Sequence, residues 1–347
     1  MSTAQTDPFA LPLDALAAWM RAHVSGFGGT LSASKFKGGQ SNPTYKLDAG
    51  GQSYVLRRKP PGVLLKSAHA VDREFRVLQA LQGGPVPVAR PLALCTDDRV
   101  LGSMFYIMAF VPGRIEWDPA LPTLTPAQRG AHHRAIIDTL AALHTIDPAA
   151  VGLGDFGQPG NYFARQVKRW SGQYRDSVTT PDPRVDQLIS WLEAHVPADD
   201  GQSVLVHGDW RIDNLMFDLD LDAPRILAIV DWELATLGHP LADLSYYCMS
   251  LRLPRNPVLS GLKGIDRAAA GIPDEASMVA RYAELRGLAQ VPHWPFTLAF
   301  NFFRLAAIAQ GVARRAELGN ASNERAAQVG AMVPLLAQMG LEAAHES

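Results

Sequence analysis

Cysteine is scarce in this chain of 347 residues: there are two, Cys95 and Cys248, in neither a CxxC nor a metal-ligand spacing. That excludes a disulfide framework and a zinc site, and both read as buried small hydrophobes. A large surplus of charge of one sign is missing as well. The formal net charge of -2 gives no overall basic field of the kind that attracts nucleic acid, so any electrostatic partner must be read locally. The Met1 to Ala10 segment lacks a basic n-region, and no uninterrupted apolar run approaches the roughly 18 residues that span a bilayer. The expectation is a cytoplasmic protein without a membrane span. With 47% apolar residues there is ample material for the core of one large domain or two moderate ones.

The stretches that are present divide the chain. Leu13, Leu16, Met20 and Val24 recur at helical spacing before Gly26, which predicts a short amphipathic helix. FKGGQSNPTYKL, Phe36 to Leu47, then reads as strand, glycine turn and strand. A hairpin at Ala49-Gly50-Gly51 and a strand from Ser53 to Arg57 follow. Gly38 and Gly39, with Ser41 and Asn42, could aim backbone N–H groups at phosphate oxygens, because the absence of a β-carbon permits close approach; an ordinary hairpin is the plainer alternative. In YVLRRK, alternation puts Val55 and Arg57 on one face and Leu56 and Arg58 on the other. The helix beginning near Ser67 carries Val71, Phe75, Leu78 and Leu81 on one stripe with Glu74 beside it. A strand cation paired with a helical glutamate would hold a phosphate-binding group in place, whereas a solvated surface glutamate would do nothing of the kind.

MFYIMAFV, Met104 to Val111, predicts a strand ending at Pro112-Gly113, after which helices dominate. The switch places a domain boundary between 110 and 111. Backbone groups from Ala109 to Val111 would be unclaimed by a sheet and free to pair with an adenine edge. Downstream, Pro126 to Ile146 reads as a long helix with Ile136, Ile137, Leu140, Leu143 and His144 inward. No acidic or cysteine partner lies at a useful spacing from His144, which makes it a core histidine. Two segments, Asn161 to Arg175 and Phe300 to Arg315, are basic, free of carboxylates and interleaved with aromatics. They read either as solvated helix faces or as the lining of a cleft for an anionic or aromatic ligand.

The chemistry concentrates in HGDWRIDN, His207 to Asn214, and in IVDWE, which contains Asp231. Val204 to Val206 and Arg225 to Val230 read as two adjacent strands separated by a turn from Met216 to Pro224, presenting Asp209, Asn214 and Asp231 together. Magnesium needs only one or two protein oxygens beside phosphate and water, so Asn214 and Asp231 suffice as ligands. Asp209 is then left to orient an acceptor hydroxyl and take its proton. Asp243, in GHPLADL, reads as the opening of the next helix and a brace for the loop through backbone N–H groups.

These residues resemble the protein-kinase-like superfamily, and within it the aminoglycoside and choline phosphotransferase branch, whose loop also reads HGD. GGQSNPTY matches the nucleotide loop, Arg57 the strand cation, Glu74 its helical partner, and Ala109 to Val111 the hinge. More narrowly, RQVKRWSGQYRDS, VDWELATLGHPLADLSYY and FFRLAAIAQGVARR look like the kinase-like domains of acyl-CoA dehydrogenase family members 10 and 11. The resemblance implies an α+β, two-lobed fold, with an antiparallel sheet lobe and one helix over 1–110 and a mostly helical lobe over 111–347. It also implies use of ATP and Mg²⁺ to phosphorylate a hydroxyl of a small molecule, such as a hydroxyacyl-CoA-type acceptor; an aminoglycoside acceptor or a non-catalytic nucleotide-binding module are the alternatives. Two departures stand out. Arginine replaces the usual strand lysine, and an arginine is not equivalent to it. The metal aspartate is followed by Trp232 and Glu233 rather than by a DFG glycine, with eleven residues before Asp243, too few for a phosphorylated activation loop.

Overall fold

In a computed structural model of the protein, residues 10–36, 42–60, 70–318 and 323–346 are described. Gly38, Gly39 and Ser41 lie outside them. The chain forms two compact units: one takes 1–114 together with 215–219 and 226–235, and the other takes 115–214, 220–225 and 236–347. Asp231 therefore belongs to the first unit and Asp209 and Asn214 to the second, a division that a single cut at residue 110 does not express.

Along the chain, the first unit opens with α1 (Leu13–His23), β1 (Ser32–Lys35), β2 (Thr44–Ala49), β3 (Gln52–Arg58), α2 (Val71–Leu81), β4 (Pro91–Cys95), α3 (Asp98–Leu101) and β5 (Phe105–Ala109), and short β6 (Arg114–Ile115) follows. The second unit holds α4 (Pro126–Thr145), α5 (Tyr162–Ser177), α6 (Pro183–Ala194) and β7 (Val204–Val206). β8 (Leu215–Phe217) and β9 (Ile226–Ile229) belong to the first unit. The second resumes with β10 (Thr236–Gly238), α7 (Leu241–Arg252), α8 (Arg267–Ala270), α9 (Glu275–Arg286), α10 (Trp294–Glu317), α11 (Asn323–Gly330) and α12 (Val333–Ala344).

The main sheet is antiparallel in the order β1-β2-β3-β5-β4. The β2–β3 turn uses Gly50 and Gly51 at φ 57° and 77°, a region open to glycine at little cost. A β-carbon on Gly50 would also stand 2.6 Å from the Gly28 carbonyl oxygen, so the turn admits no larger residue. Leu16 and Met20 of α1 pack with Leu47, Leu56, Phe105 and Ile107 of the sheet as the core of this unit. β3 is buried throughout its second half, from Tyr54 to Arg58, rather than on one face. Arg58 is satisfied there by the Leu101 carbonyl at 3.1 Å and the Ser103 hydroxyl at 3.3 Å. Besides α2, the unit carries α1 and α3.

In the second unit α4 begins with a reciprocal capping box between Thr125 and Gln128 and buries Ile136, Ile137, Leu140, Leu143 and His144, as its spacing predicts. α10 contains an 18-residue stretch of mean hydropathy 1.3 and is, among the described residues, long and apolar enough to cross a membrane by length and composition. Charge-free runs understate it because Arg304 interrupts them. Its window is 72% buried inside the protein, as expected of a core helix. Phe300 meets Phe163 of α5 edge-on at 5.5 Å, so the two basic segments do pack together.

The predicted neighbours β7 and β9 are not paired. β7 pairs with β10, and β9 pairs with β8, which occupies part of the stretch expected to be a turn. Three-residue strands such as β7, β8 and β10 are too short to show alternation, which is why spacing alone misassigned them. Both cysteines are free and buried.

Candidate functional site

Two clusters carry the polar chemistry, one in each unit. In the first, Arg57 on β3 has only 10% of its side chain exposed and reaches three carboxylates. Its Nε lies 2.8 Å from Glu74 Oε2, off the line of a hydrogen bond, so this contact is an ion pair. Its Nη2 is 2.5 Å from Asp231 Oδ1 and 4.0 Å from Glu233 Oε2. Glu74 is 1% exposed, which overturns the solvated reading, and it accepts further hydrogen bonds from Asn42 Nδ2 at 2.9 Å and the Tyr106 hydroxyl at 3.3 Å. The Asn42 side chain, also 3.5 Å from Glu233, thus braces the ion pair. Sequence reasoning placed Asn42 toward phosphate instead, because the glycines beside it suggested a loop, and a contact 32 residues away leaves no spacing signal.

Burial pushes Glu74 up to about 7, with Asp231 and Glu233 adding to the rise and Arg57 opposing it. For Arg57, burial favours the neutral form, but Glu74, Tyr106, Asp231 and Glu233 outweigh it, and the guanidinium is held charged more firmly than usual. With all four groups ionised the cluster carries two more negative than positive charges, and its more exposed edge is Asp231 and Glu233, at 31% and 22%. An oxygen-rich, net-negative edge suits a hard divalent cation. Asp231 sits at φ 64°, ψ 60°, the left-handed region that aspartate tolerates better than most residues but still at a cost.

In the second unit, β7 delivers His207, Gly208 and Asp209 into a loop closed by a 3₁₀ turn at Ile212–Asn214. Asn214 Nδ2 donates to the Asp209 carbonyl at 2.9 Å and to Asp209 Oδ2 at 3.0 Å. The amide nitrogen is the engaged atom, leaving the amide oxygen, the atom that binds cations, outside those bonds. Among the described residues no three His, Cys, Asp or Glu side chains gather to hold a metal by themselves. Magnesium makes no such demand, since phosphate and water complete its octahedron.

Asp243 braces the loop through two backbone amides: Oδ2 accepts from His207 N at 2.6 Å and Oδ1 from Gly208 N at 2.8 Å. It sits in the first turn of α7. Burial alone would raise its pKa, but the hydrogen bond and field of His144, with His207 and the Gly208 amide, lower it on balance. His144 Nε2 is 3.4 Å from Asp243 Oδ2, and Nδ1 is 2.6 Å from the Tyr282 hydroxyl. Burial depresses the His144 pKa, so a neutral ring donates from Nε2 and accepts at Nδ1. His144 is a core histidine, yet it does have an acidic partner, 99 residues away and invisible to local spacing.

Not every predicted residue is placed as expected. Val55 lies on the buried half of β3. Ala109 is still in β5, opposite Tyr54, and its N–H donates to Arg90 O at 2.8 Å, while Phe110 N donates to Ser53 O at 3.3 Å. The expectation of unclaimed backbone N–H groups there fails for both because the strand pairing continues through Ala109 and Phe110. Of the basic residues on the two aromatic segments, Lys168, Arg169, Arg175 and Arg315 are exposed, and only Arg304 is buried.

Comparison with known proteins fits this arrangement. Residues 32–288 match the model of the phosphotransferase enzyme family. Mouse acyl-CoA dehydrogenase family member 10 is 41% identical over 332 residues, covering 95% of this chain and 31% of that protein. Human family member 11 is 40% identical over 333 residues, covering 94% and 42%. The chain thus spans less than half the length of these relatives. Among solved structures, a candidate aminoglycoside phosphotransferase from Ralstonia eutropha JMP134 superposes with a TM-score of 0.87 at 47% identity, over 96% of this chain and 98% of that one. Aminoglycoside phosphotransferase APH(4)-Ia, in a ternary complex with ADP and hygromycin B, shares the fold with a TM-score of 0.63 at 15% identity, over 95% and 98%. The match over residues 32–288, on an α+β kinase-like fold with a charged strand–helix pair and a braced HGD loop, places this chain in the phosphotransferase enzyme family.

Proposed function

We propose that the protein transfers the γ-phosphoryl group of ATP to a hydroxyl of a small molecule, with Asp209 as the group that orients the hydroxyl and accepts its proton. The observation that carries this reading is the double hydrogen bond from Asn214 to Asp209, which fixes a carboxylate at the head of the HGD loop while leaving an amide oxygen for a cation. Asn214 and Asp231 are the metal ligands in this reading, and Arg57, held by Glu74, is the phosphate-facing cation. By the resemblance to the family, Gly38, Gly39, Ser41, Val55 and Val111 would belong to the nucleotide pocket, with Asn42 acting there only through the Glu74 ion pair and Ala109 only through its place at the end of β5. Bound Mg²⁺ would supply charge neutralisation on the phosphates.

In the transfer, the acceptor oxygen forms a bond to the γ-phosphorus as the bond to the β,γ-bridging oxygen breaks. ADP leaves with that electron pair, and the hydroxyl proton passes to an Asp209 oxygen. ADP in the APH(4)-Ia complex supports the choice of nucleotide.

The acceptor is an anionic, acyl-CoA-like alcohol in this proposal. Support comes from the likeness to acyl-CoA dehydrogenase family members 10 and 11 and from exposed Lys168 and Arg169 on α5. A polycationic aminoglycoside would meet like charge there. The Ralstonia relative favours a second reading, an aminoglycoside acceptor. ADP release measured against hydroxyacyl-CoAs, amino alcohols and aminoglycosides separates the two: turnover with hydroxyacyl-CoAs alone supports the first, and turnover with aminoglycosides alone supports the second.

A further inference from the structure

Arg304 is 5% exposed and lies in the middle of α10, where a charged side chain is costly to bury without a partner. Its guanidinium carbon sits 5.6 Å from the Trp170 ring centre on α5 and 5.2 Å from that of Tyr246 on α7. Its Nη2 donates to the carbonyl oxygen of Gly208 at 2.5 Å. Among the described residues no carboxylate forms an ion pair with it. Three helices thus converge to hold one cation against one peptide oxygen.

That oxygen belongs to the peptide unit whose N–H is on Asp209. The unit is planar and trans, so its two polar groups point in opposite directions. Arg304 takes the oxygen, and the Asp209 N–H donates to His207 Nδ1 at 3.2 Å on the other side. Rotating the peptide would break both bonds at once. The need for such a grip follows from Gly208, whose φ of 82° is open to glycine and whose missing β-carbon leaves the neighbouring peptides easy to turn. Asp243 fixes the His207 and Gly208 amides but touches neither group of the Gly208–Asp209 peptide. Tyr246 completes the arrangement: burial pushes its hydroxyl well up, and the adjacent Asp209 charge adds to that, so the ring beside the guanidinium stays neutral.

We infer that Arg304 is a positioning residue that locks the Gly208–Asp209 peptide and thereby the direction of the Asp209 carboxylate. The inference builds on the phosphoryl-transfer reading for its kinetic consequence but not for its structural one. Its test therefore has two arms, applied to Arg304→Met, which keeps the bulk and removes the donor, and to Arg304→Lys, which keeps a donor without the planar stack.

Amide hydrogen exchange should show the Asp209 amide of Arg304→Met exchanging at least tenfold faster, on the order expected for losing one partner of a local hydrogen-bonded unit, while α7 amides keep wild-type protection. Turnover with the acceptor found for the wild type should fall by about 100-fold in kcat with ADP affinity unchanged, because a small misplacement of a reacting group has that scale of effect. Arg304→Lys should fall between the two in both arms, and it replaces Arg304→Met if the latter does not fold. Wild-type exchange at Asp209 in a folded Arg304→Met would overturn the inference. So would a loss confined to the acceptor KM, which would make Arg304 a contact for the acceptor. Wild-type protein that turns over no acceptor would count against the proposed reaction, and the exchange arm alone would then decide on Arg304.

Discussion

The two polar clusters are built on opposite principles. Around Arg57, three carboxylates share one cation, the geometry rests on charge, and the edge formed by Asp231 and Glu233 is partly open. Around Asp209, the groups being held are neutral peptide units, each gripped separately: Asp243 accepts from two backbone amides, Arg304 caps a carbonyl, and Asn214 ties the Asp209 side chain. A cluster held by charge can be re-sorted by an incoming charge, as the proposed phosphate-binding role of Arg57 requires. The second is preorganised, as the proposed proton-accepting role of Asp209 requires if transfer is to cost no reorganisation.

This contrast can be broken at either side. The largest effect belongs to Asp209→Asn, which removes the proposed proton acceptor and should cut ADP-linked transfer by about 10²–10⁴-fold, the usual worth of a positioned base, while calorimetry shows ADP binding unchanged. Next comes Asp243→Ala. It strands two buried N–H groups, and at roughly 1–3 kcal/mol for each such loss the unfolding free energy measured in urea should fall by several kcal/mol. Arg57→Lys removes the two-pronged reach to Glu74 and Asp231, and ADP affinity should drop about tenfold with kcat less affected, a measure of how far the first cluster depends on the fork.

The smallest effect is a pH slope. Glu74 is raised from an ordinary carboxylate value to about 7, so the folded state holds its proton where the unfolded chain has lost it. Its contribution is full below the unfolded value and is lost as pH climbs from about 4.5 to about 7. Denaturation across that window should show a decline that Glu74→Gln flattens. An unchanged slope would mean that Arg57 keeps Glu74 ionised throughout.

Much of the second cluster was legible because its residues sit close together in HGDWRIDN, and Asp243 could be read as a brace from its place at the start of a helix. The pairing of Arg57 with Glu74 was legible as a strand cation followed by a helical acid. Illegible were contacts that span the chain: His144 with Asp243, Asn42 with Glu74, and Arg304 with Gly208. Each joins elements whose approach depends on packing rather than on period. Arg304 was read with the exposed basic residues around it because composition cannot tell an outward arginine from one turned between two aromatic rings.

Phosphorus NMR of wild-type protein with ATP, Mg²⁺ and a hydroxyacyl-CoA tests the central claim most directly. The account predicts a new phosphate monoester resonance growing in step with ADP, and absent with Asp209→Asn. A monoester that forms equally well with Asp209→Asn, or ADP accompanied only by inorganic phosphate, would contradict it.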